Sequence, residues 1–498
     1  MEPNLDRAAF VDLASRYSVV PVAIEVLADS WTPLSVFRRL TGDGDGFLLE
    51  SVEGGERWGR WSFIGWDPAF TLTAIDGVSS LDDPSVALKD GDPLDVLAEL
   101  IDRFTVPAPS ELGFTGPVPP LHTGAVGMLA YDTVRYLERL GDGPPDDRGL
   151  PESLWQFCGG IAAFDRLRET VTLIRNVFVS DDPDADYTVA VEALSAAAAR
   201  LADQPPVTVR RRPTFDATPQ TTQNLTQAQF EEAVVKAIAH IRAGDAFQVV
   251  PSLRFETEFS GDAVSVYRAL RLINPSPFMF LVRSGEFAVV GSSPELMSRV
   301  RDGVAYSRPI AGTRRRGATE AEDVALEAEL LVDPKERAEH VMLIDLARND
   351  LGRICEYGTV AVDDLMVIER YSHVMHIVSG ISGRLMPEVG PVDVLRATFP
   401  HGTVTGAPKV RAMEIIDTLE PTRRGPYAGA VGYVDFSGSV DTAIGLRTCV
   451  INGTTAWVQA GAGVVVDSDP ATEYAECVNK ATAVLTAIAA AAEFADEC

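Results

Sequence analysis

Apolar positions follow two different rhythms, one on each side of a polar stretch near residue 210. From Thr226 onward, Phe230, Val234, Ala237, Ile238 and Ile241 recur at helical spacing and share one helix face. Thr226 with Gln229 forms a capping box at the start of this helix, and Gly244 ends it. A strand is predicted next, with Phe247, Val249, Leu253 and Phe255 on its buried face and Gln248 on the other. Pro251 places a bulge or an edge there. Helices and strands then alternate without a strict strand–helix–strand repeat, which favours an α+β fold over a doubly wound sheet.

Before the polar stretch the runs are short, alternating and broken by Gly, Pro and Asp, as in Gly46-Phe47-Leu48-Leu49-Glu50-Ser51. This region reads as mostly strands with some helix. Gly42-Asp43-Gly44-Asp45-Gly46 lacks the later ligands of a calcium loop and is read as a hairpin turn. The separator, Asp203 to Asn224, is rich in Pro, Thr, Gln and Arg and is predicted to link two regions, 1–215 and 225–498.

Composition narrows the function. The 498 residues exceed one ordinary core. There are 72 acidic and 43 basic residues, a formal charge of −29, which argues against nucleic acid and anionic membrane as partners. A local basic pocket for an anionic substrate remains compatible with that charge. The N-terminus shows no secretory pattern, and the alanine-rich run from Ala481 to Ala492 reads as too short to span a bilayer. Five widely spaced cysteines without Cys-x-x-Cys fit a reducing cytosol with free thiols and no zinc site. No glycine-rich phosphate loop occurs, so nucleotide binding is unsupported.

Two segments share one grammar. Asp333-Pro334 opens a predicted helix carrying Glu336 and Glu339, and Asp469-Pro470 opens another carrying Glu473 and Glu476. Residues three apart share a helix face. Each pair alone has a plain explanation, since first-turn acids complement the helix dipole and Glu336 would complete a capping box with Asp333. Two matching pairs point instead to a hard divalent cation such as Mg²⁺, one Glu of each pair binding directly and its neighbour through water. Ala460-Gly461-Ala462-Gly463 and Ile310-Ala311-Gly312-Thr313 could offer backbone N–H groups to an anion. Arg447 lies in an apolar run read as a strand, where its charge is expected to meet a carboxylate. Lys480 is four residues beyond Glu476 and reads as its ion-pair partner. Tyr427 and Thr403 lie in Gly-rich turns. His376 reads either as a satisfied core histidine or as a general base; a strand would put it opposite His373.

Taken in chain order, several segments resemble the chorismate-utilising enzymes, and within them the anthranilate-forming branch. They are Leu49-Glu50-Ser51, Asn274-Pro275-Ser276-Pro277-Phe278-Met279, Ser293-Pro294-Glu295, Pro309-Ile310-Ala311-Gly312-Thr313, Ala338-Glu339-His340, Asn349-Asp350, Phe399 to Lys409, Gly429 to Tyr433 and Gln459 to Gly463. The resemblance implies an α+β fold with a large mixed β-sandwich core flanked by helices. It implies Mg²⁺ gripping the ring carboxylate of chorismate, with Glu339 and Glu476 as direct ligands and Glu336 and Glu473 behind water. Gly312, Thr313, Tyr427, Arg447, Gly461, Ala462, Gly463 and Lys480 are implied as substrate contacts. Glu295, His376 and Thr403 are implied as the catalytic group, and Ser51, Pro277, Phe278 and Met279 as a tryptophan feedback site in the N-terminal region. Water-using relatives carry a lysine base where this chain has Gln248, and aminodeoxychorismate-forming relatives carry a nucleophilic lysine where it has Ala311. Ammonia is the nucleophile that remains. With no glutaminase cysteine motif in the chain, a separate glutamine amidotransferase subunit would supply it, in a heterotetramer of two large and two small subunits. An aminodeoxychorismate synthase and a non-catalytic tryptophan sensor are the competing readings.

Overall fold

The computed structural model describes residues 2–52, 59–203, 214–215, 217–371 and 374–497. Half of the separator (residues 204–213 and 216), and His373 with its expected placement opposite His376, lie outside the described residues.

Two eleven-stranded sheets form the core. The first runs, edge to edge, through strands Val19–Leu27, Thr170–Phe178, Gly160–Asp165, Trp61–Trp66, Gly46–Glu50, Phe278–Ser284, Phe287–Ser293, Thr448–Asn452, Thr455–Gly461, Ser252–Glu258 and Thr222–Gln223. The second runs through Ile310–Arg315, Val374–Arg384, Val304–Ser307, Leu296–Arg301, Val440–Ile444, Ala430–Val434, Ala125–Leu129, Ser153–Phe157, Phe70–Ile75 and Val78–Leu81, with Ala361–Arg370 also paired to Val374–Arg384. Every ladder between described strands is antiparallel. Strands from both sides of the separator contribute to both sheets, in one block each.

The sheets face each other across a layer that includes Phe47, Phe63, Ile161 and Phe280 from the first and Val126, Met128, Leu154 and Val431 from the second. The outer face of the first sheet is covered by helices including Gln227–Ala243, Ala263–Ile273 and Pro470–Ala490. That of the second is covered by Pro93–Arg103, Pro334–Gly352, Pro391–Thr398 and Lys409–Leu419. This is the expected α+β sandwich with helices outside.

Local expectations met mixed outcomes. The Thr226–Gln229 capping box forms, and Gly244 closes that helix in the left-handed conformation at φ +88°. The strand after it is broken at Val250-Pro251 into Gln248–Val249 and Ser252–Glu258, and Phe247 is exposed rather than in the core. Its neighbours Val249, Leu253 and Phe255 are buried as expected. The Gly42–Gly46 run is not a hairpin turn. It joins helix Pro33–Thr41 to strand Gly46–Glu50, because Thr32 and Pro33 begin a capped helix ahead of it. The 470–494 stretch is long and apolar enough to cross a bilayer by length and composition, contrary to the shorter run read from sequence, yet 56% of its most apolar 18-residue window is buried in this fold. It packs on strand Thr455–Gly461 and on helices 227–243 and 263–273 as a core helix.

Candidate active site

The chain steps from the first sheet to the second at Pro294-Glu295, and back from the second to the first at Gly445-Leu446-Arg447. The two crossings are tied together. Ile444 N–H donates to the carbonyl of Glu295 at 3.1 Å, and Ser292 N–H donates to that of Arg447 at 3.2 Å. Glu295 and Arg447 are thereby held side by side at one end of the sandwich. Arg447 therefore lies in a crossing, not inside a strand. It sits at φ +48°, a conformation non-glycine residues adopt only when their surroundings impose it. Nor does it meet a carboxylate: among the described residues no carboxylate lies within ion-pair distance of its guanidinium. Burial lowers its pKa, while Tyr427, Glu295 and Glu476 favour its charge. A cation left without a carboxylate partner in a desolvated place is suited to an anionic ligand.

Glu295 is desolvated, which raises its pKa above the ordinary carboxyl value. The Thr403 hydroxyl, donating to Oε2 at 2.7 Å, works against that rise, as do the charges of Lys480 and Arg447. A carboxyl raised by burial can hold a proton and deliver it.

His376 stands on strand Val374–Arg384, opposite Thr313. Its Nδ1 is 3.0 Å from the carbonyl oxygen of Gly312 and 3.1 Å from the Thr313 hydroxyl. A carbonyl only accepts, so Nδ1 carries the ring proton and Nε2 keeps a free lone pair. Burial lowers the pKa of the imidazole and keeps it neutral. Gly312 adopts φ +65° beside a bulge in the strand pairing, which turns its carbonyl toward the histidine. Ala311 is buried on the same strand, and its methyl has no nucleophilic atom.

Asp333 caps helix 334–352 by accepting from the N–H groups of Lys335 and Glu336, and Asp469 caps helix 470–490 by accepting from that of Thr472. The expected Asp333–Glu336 box is absent because Oε1 of Glu336 turns to Arg314, 3.4 Å away, which also binds Asp333. Burial raises the pKa of Glu339, and the carboxylates of Glu336 and Glu476 add to the rise. Glu473 is raised in the same way, by burial and then by Glu476. The two helices thus bring their acids toward one another, with Lys335 the cation facing both Glu339 and Glu473. Among the described residues no three His, Cys, Asp or Glu groups form a ready-made metal cluster. Facing, mutually repelling carboxyls in a desolvated cleft nevertheless fit Mg²⁺, which takes one or two carboxylates and completes its shell with water and substrate oxygens.

Lys480 forms the expected ion pair with Glu476 at 2.6 Å and also donates to the carbonyl of Gly461 at 3.0 Å, tying the helix to the Gly461–Gly463 segment. That segment offers fewer free donors than expected, since Ala462 N–H is spent on the carbonyl of Pro251. Arg447, Glu476 and Lys480 line one cleft of ≈ 430 Å³. Gln248 donates its amide N–H to Oε1 of Glu339 at 3.2 Å, and its own Oε1 is buried with no hydrogen-bond partner among the described residues.

Ser51, Pro277, Phe278 and Met279 line a separate cavity of ≈ 390 Å³ that also includes Trp61 and Tyr371. It reaches the active site on two sides. Pro294 and Leu296, which flank Glu295, belong to its wall, and the Tyr371 ring stands edge-on to His376 at 5.6 Å.

Two supporting groups escaped sequence reasoning. Arg424, fully buried, pairs with Glu420 at 2.6 Å, donates to the carbonyls of Val404 and Val250, and lies over the Tyr131 and Tyr427 rings. His401 caps the turn that carries Thr403. The signal available for it was a histidine set directly before Gly402-Thr403, in the position of an N-cap.

The chain as a whole has matches among known proteins. The description of the chorismate binding enzymes covers residues 46–486, and the chain belongs to that family. Within it, the chain is 48% identical to anthranilate synthase component 1 of Mycolicibacterium smegmatis, over 98% of this chain and 94% of the relative. It is 42% identical to that of Acetivibrio thermocellus, over 99% of both. The solved anthranilate synthase component I from Streptococcus pneumoniae superposes with a TM-score of 0.77 at 34% identity, covering 92% of this chain and 99% of the other. The menaquinone-specific isochorismate synthase MenF of Escherichia coli shares the fold, with a TM-score of 0.70 at 20% identity over 97% and 99% of the two chains.

Proposed function

We propose that this chain is the chorismate-binding large subunit of an anthranilate synthase, a Mg²⁺-dependent lyase of the cytoplasm that opens tryptophan biosynthesis. It converts chorismate and ammonia to anthranilate, pyruvate and water through an aminodeoxyisochorismate intermediate. A separate glutamine amidotransferase subunit supplies the ammonia, in a heterotetramer of two large and two small subunits. Tryptophan inhibits it from the cavity at Ser51, Pro277, Phe278 and Met279.

The observation that carries the choice of nucleophile is the Gln248 amide. Its N–H is held by Glu339 and its buried oxygen is unpartnered. An amide cannot deprotonate water, but its oxygen accepts an N–H of ammonia, which is already a competent nucleophile. Ala311 offers no nucleophilic atom at the position where aminodeoxychorismate-forming relatives carry a lysine.

Glu339 and Glu476, with Glu336 and Glu473 through water, would hold Mg²⁺, which supplies charge neutralisation for the ring carboxylate of chorismate. Arg447 and Lys480 offer positive charge to the substrate's carboxylates. Ammonia forms its bond to C2 as the ring double bond shifts and the C4 hydroxyl departs, taking the proton of Glu295 and leaving as water. The new C2 ammonium gives up one proton to solvent; Nε2 of His376 then removes the C2 proton as the C3–O bond breaks, the released enolpyruvate takes up a proton at its methylene carbon to become pyruvate, and the ring is left aromatic. Tyr427 and the Gly461–Gly463 segment shape the pocket around the ring, opposite Gly312 and Thr313.

The test is an assay of the full chain with chorismate, Mg²⁺ and ammonium at high pH, with product identification. Anthranilate is expected. Formation of 4-amino-4-deoxychorismate would make the chain an aminodeoxychorismate synthase, and no turnover would make it a tryptophan sensor. Activity unchanged by saturating tryptophan would remove the feedback assignment.

A further inference from the structure

Thr403 is flanked by two acceptors, but its hydroxyl has one proton. Its Oγ1 lies 2.7 Å from Oε2 of Glu295 and 2.9 Å from Nδ1 of His401. The backbone N–H of Thr403 also points at Nδ1 of His401, 3.4 Å away. An N–H can only donate, so that nitrogen carries a lone pair and the imidazole proton sits on Nε2. His401 is buried, and desolvation, helped by the charge of Lys409, pushes its pKa down to about 3, so it stays neutral at working pH.

We propose that His401 is a positioning residue for the reaction, switching the Thr403 hydroxyl between two roles so that Glu295 can hold a proton. When Glu295 is ionised, Thr403 donates to its Oε2. When Glu295 is protonated at Oε2, that O–H donates to Oγ1 of Thr403, and the Thr403 proton turns to Nδ1 of His401. Each donor then has an acceptor in both states. Without His401, Glu295 protonated at Oε2 would leave the Thr403 proton without an acceptor in a buried place, and the ionised form would be favoured. The other groups acting on this chain of bonds are cations: Lys480 from helix 470–490 and Arg447 from the sheet crossing face Glu295. Lys409, paired with Asp350 of helix 334–352 at 2.9 Å, faces His401. Both sets oppose protonation of their neighbour, so besides burial the neutral acceptor is the device among the described residues that favours the acid form of Glu295.

The inference rests on Glu295 being the proton donor proposed above. The test is the pH profile of kcat for the full chain, with Mg²⁺, saturating chorismate and saturating free ammonia at each pH. His401→Phe keeps ring volume and removes the acceptor. Its alkaline limb should lie about one pH unit below that of the native enzyme, an approximately tenfold lower rate on the alkaline side. His401→Asn, whose side-chain oxygen can accept from the same N–H and hydroxyl, should restore the native limb. In a Thr403→Val background, His401→Phe should move the limb no further. Coincident limbs for His401→Phe and the native enzyme would overturn the proposal, as would a shift that His401→Asn does not rescue. His401→Ala serves as a second acceptor-free variant. If neither it nor His401→Phe folds, His401 is a structural cap and the proposal falls. Failure of the underlying reading looks different: Glu295→Gln would then retain the native alkaline limb.

Discussion

A Cβ placed on Gly461 would stand 2.6 Å from the hydroxyl oxygen of Tyr427 and 2.9 Å from the carbonyl oxygen of Pro251. The first neighbour is a side chain fixed beneath Arg424, and the second is backbone. Neither yields cheaply. Gly461→Ala is therefore expected to displace Tyr427 and to lower kcat/KM for chorismate by about 10²-fold, as misplacement of about 1 Å does elsewhere. Steady-state kinetics with ammonium, beside an unchanged far-ultraviolet circular dichroism spectrum, checks it.

His376→Ala should separate the two halves of the reaction. The chain would still consume chorismate, while anthranilate release falls by about 10²-fold or more and the amino intermediate accumulates. Chromatography of the products decides. Release of anthranilate at the native rate would remove His376 from the role of base. Because burial lowers the pKa of His376, the native enzyme should keep its base form below the usual titration range of histidine, with its acid limb shifted accordingly.

Chelation should abolish turnover, and added Mg²⁺ should restore it. In Glu336→Gln the Mg²⁺ concentration for half-maximal rate is expected to rise about tenfold, and in Glu339→Gln by about 10²-fold, as for an outer and an inner partner of a metal. Titration of each variant with Mg²⁺ ranks them. Equal effects would leave the division of labour within the pair unsupported.

Arg424→Met should cost about 3–5 kcal/mol of stability, because Glu420 would be left charged, buried and unpaired. Urea unfolding measures the loss. Arg424→Met combined with Glu420→Gln should recover part of it, since the stranded charge is then gone.

The parts of the site that local chemistry dictates were legible in the chain. Asp333-Pro334 and Asp469-Pro470 specify capped helix starts whatever else happens, so the glutamates appear on the faces expected of them. The α+β class followed from helices and strands that alternate after Thr226 without a strict strand–helix–strand repeat. What could not be read locally was the partner each side chain would choose. Glu336 had a suitable N-cap three residues away and took Arg314 instead, a residue brought in by sheet pairing. Arg447 lay in an apolar run and became a crossing between sheets, because the strand before it and the strand after it belong to different layers. Phe247 fitted an apolar face but lies before the short strand that interrupts at Pro251, where the chain has no core to meet. His401 touches Thr403, two residues on in sequence, whose hydroxyl in turn meets Glu295, 108 residues from Thr403.

The two sheets are each built from one block of N-terminal strands and one block of C-terminal strands, so each contains a single seam. In the first, Gly46–Glu50 pairs with Phe278–Ser284; in the second, Ala125–Leu129 pairs with Ala430–Val434. Either half made alone would carry two raw strand edges, the kind that recruit other chains. The halves therefore cannot be traded between proteins as independent cassettes. Ser51 and Phe278 lie at the end of the first seam, one on each half, so anything lodged between them staples the two halves together where the sheet is joined.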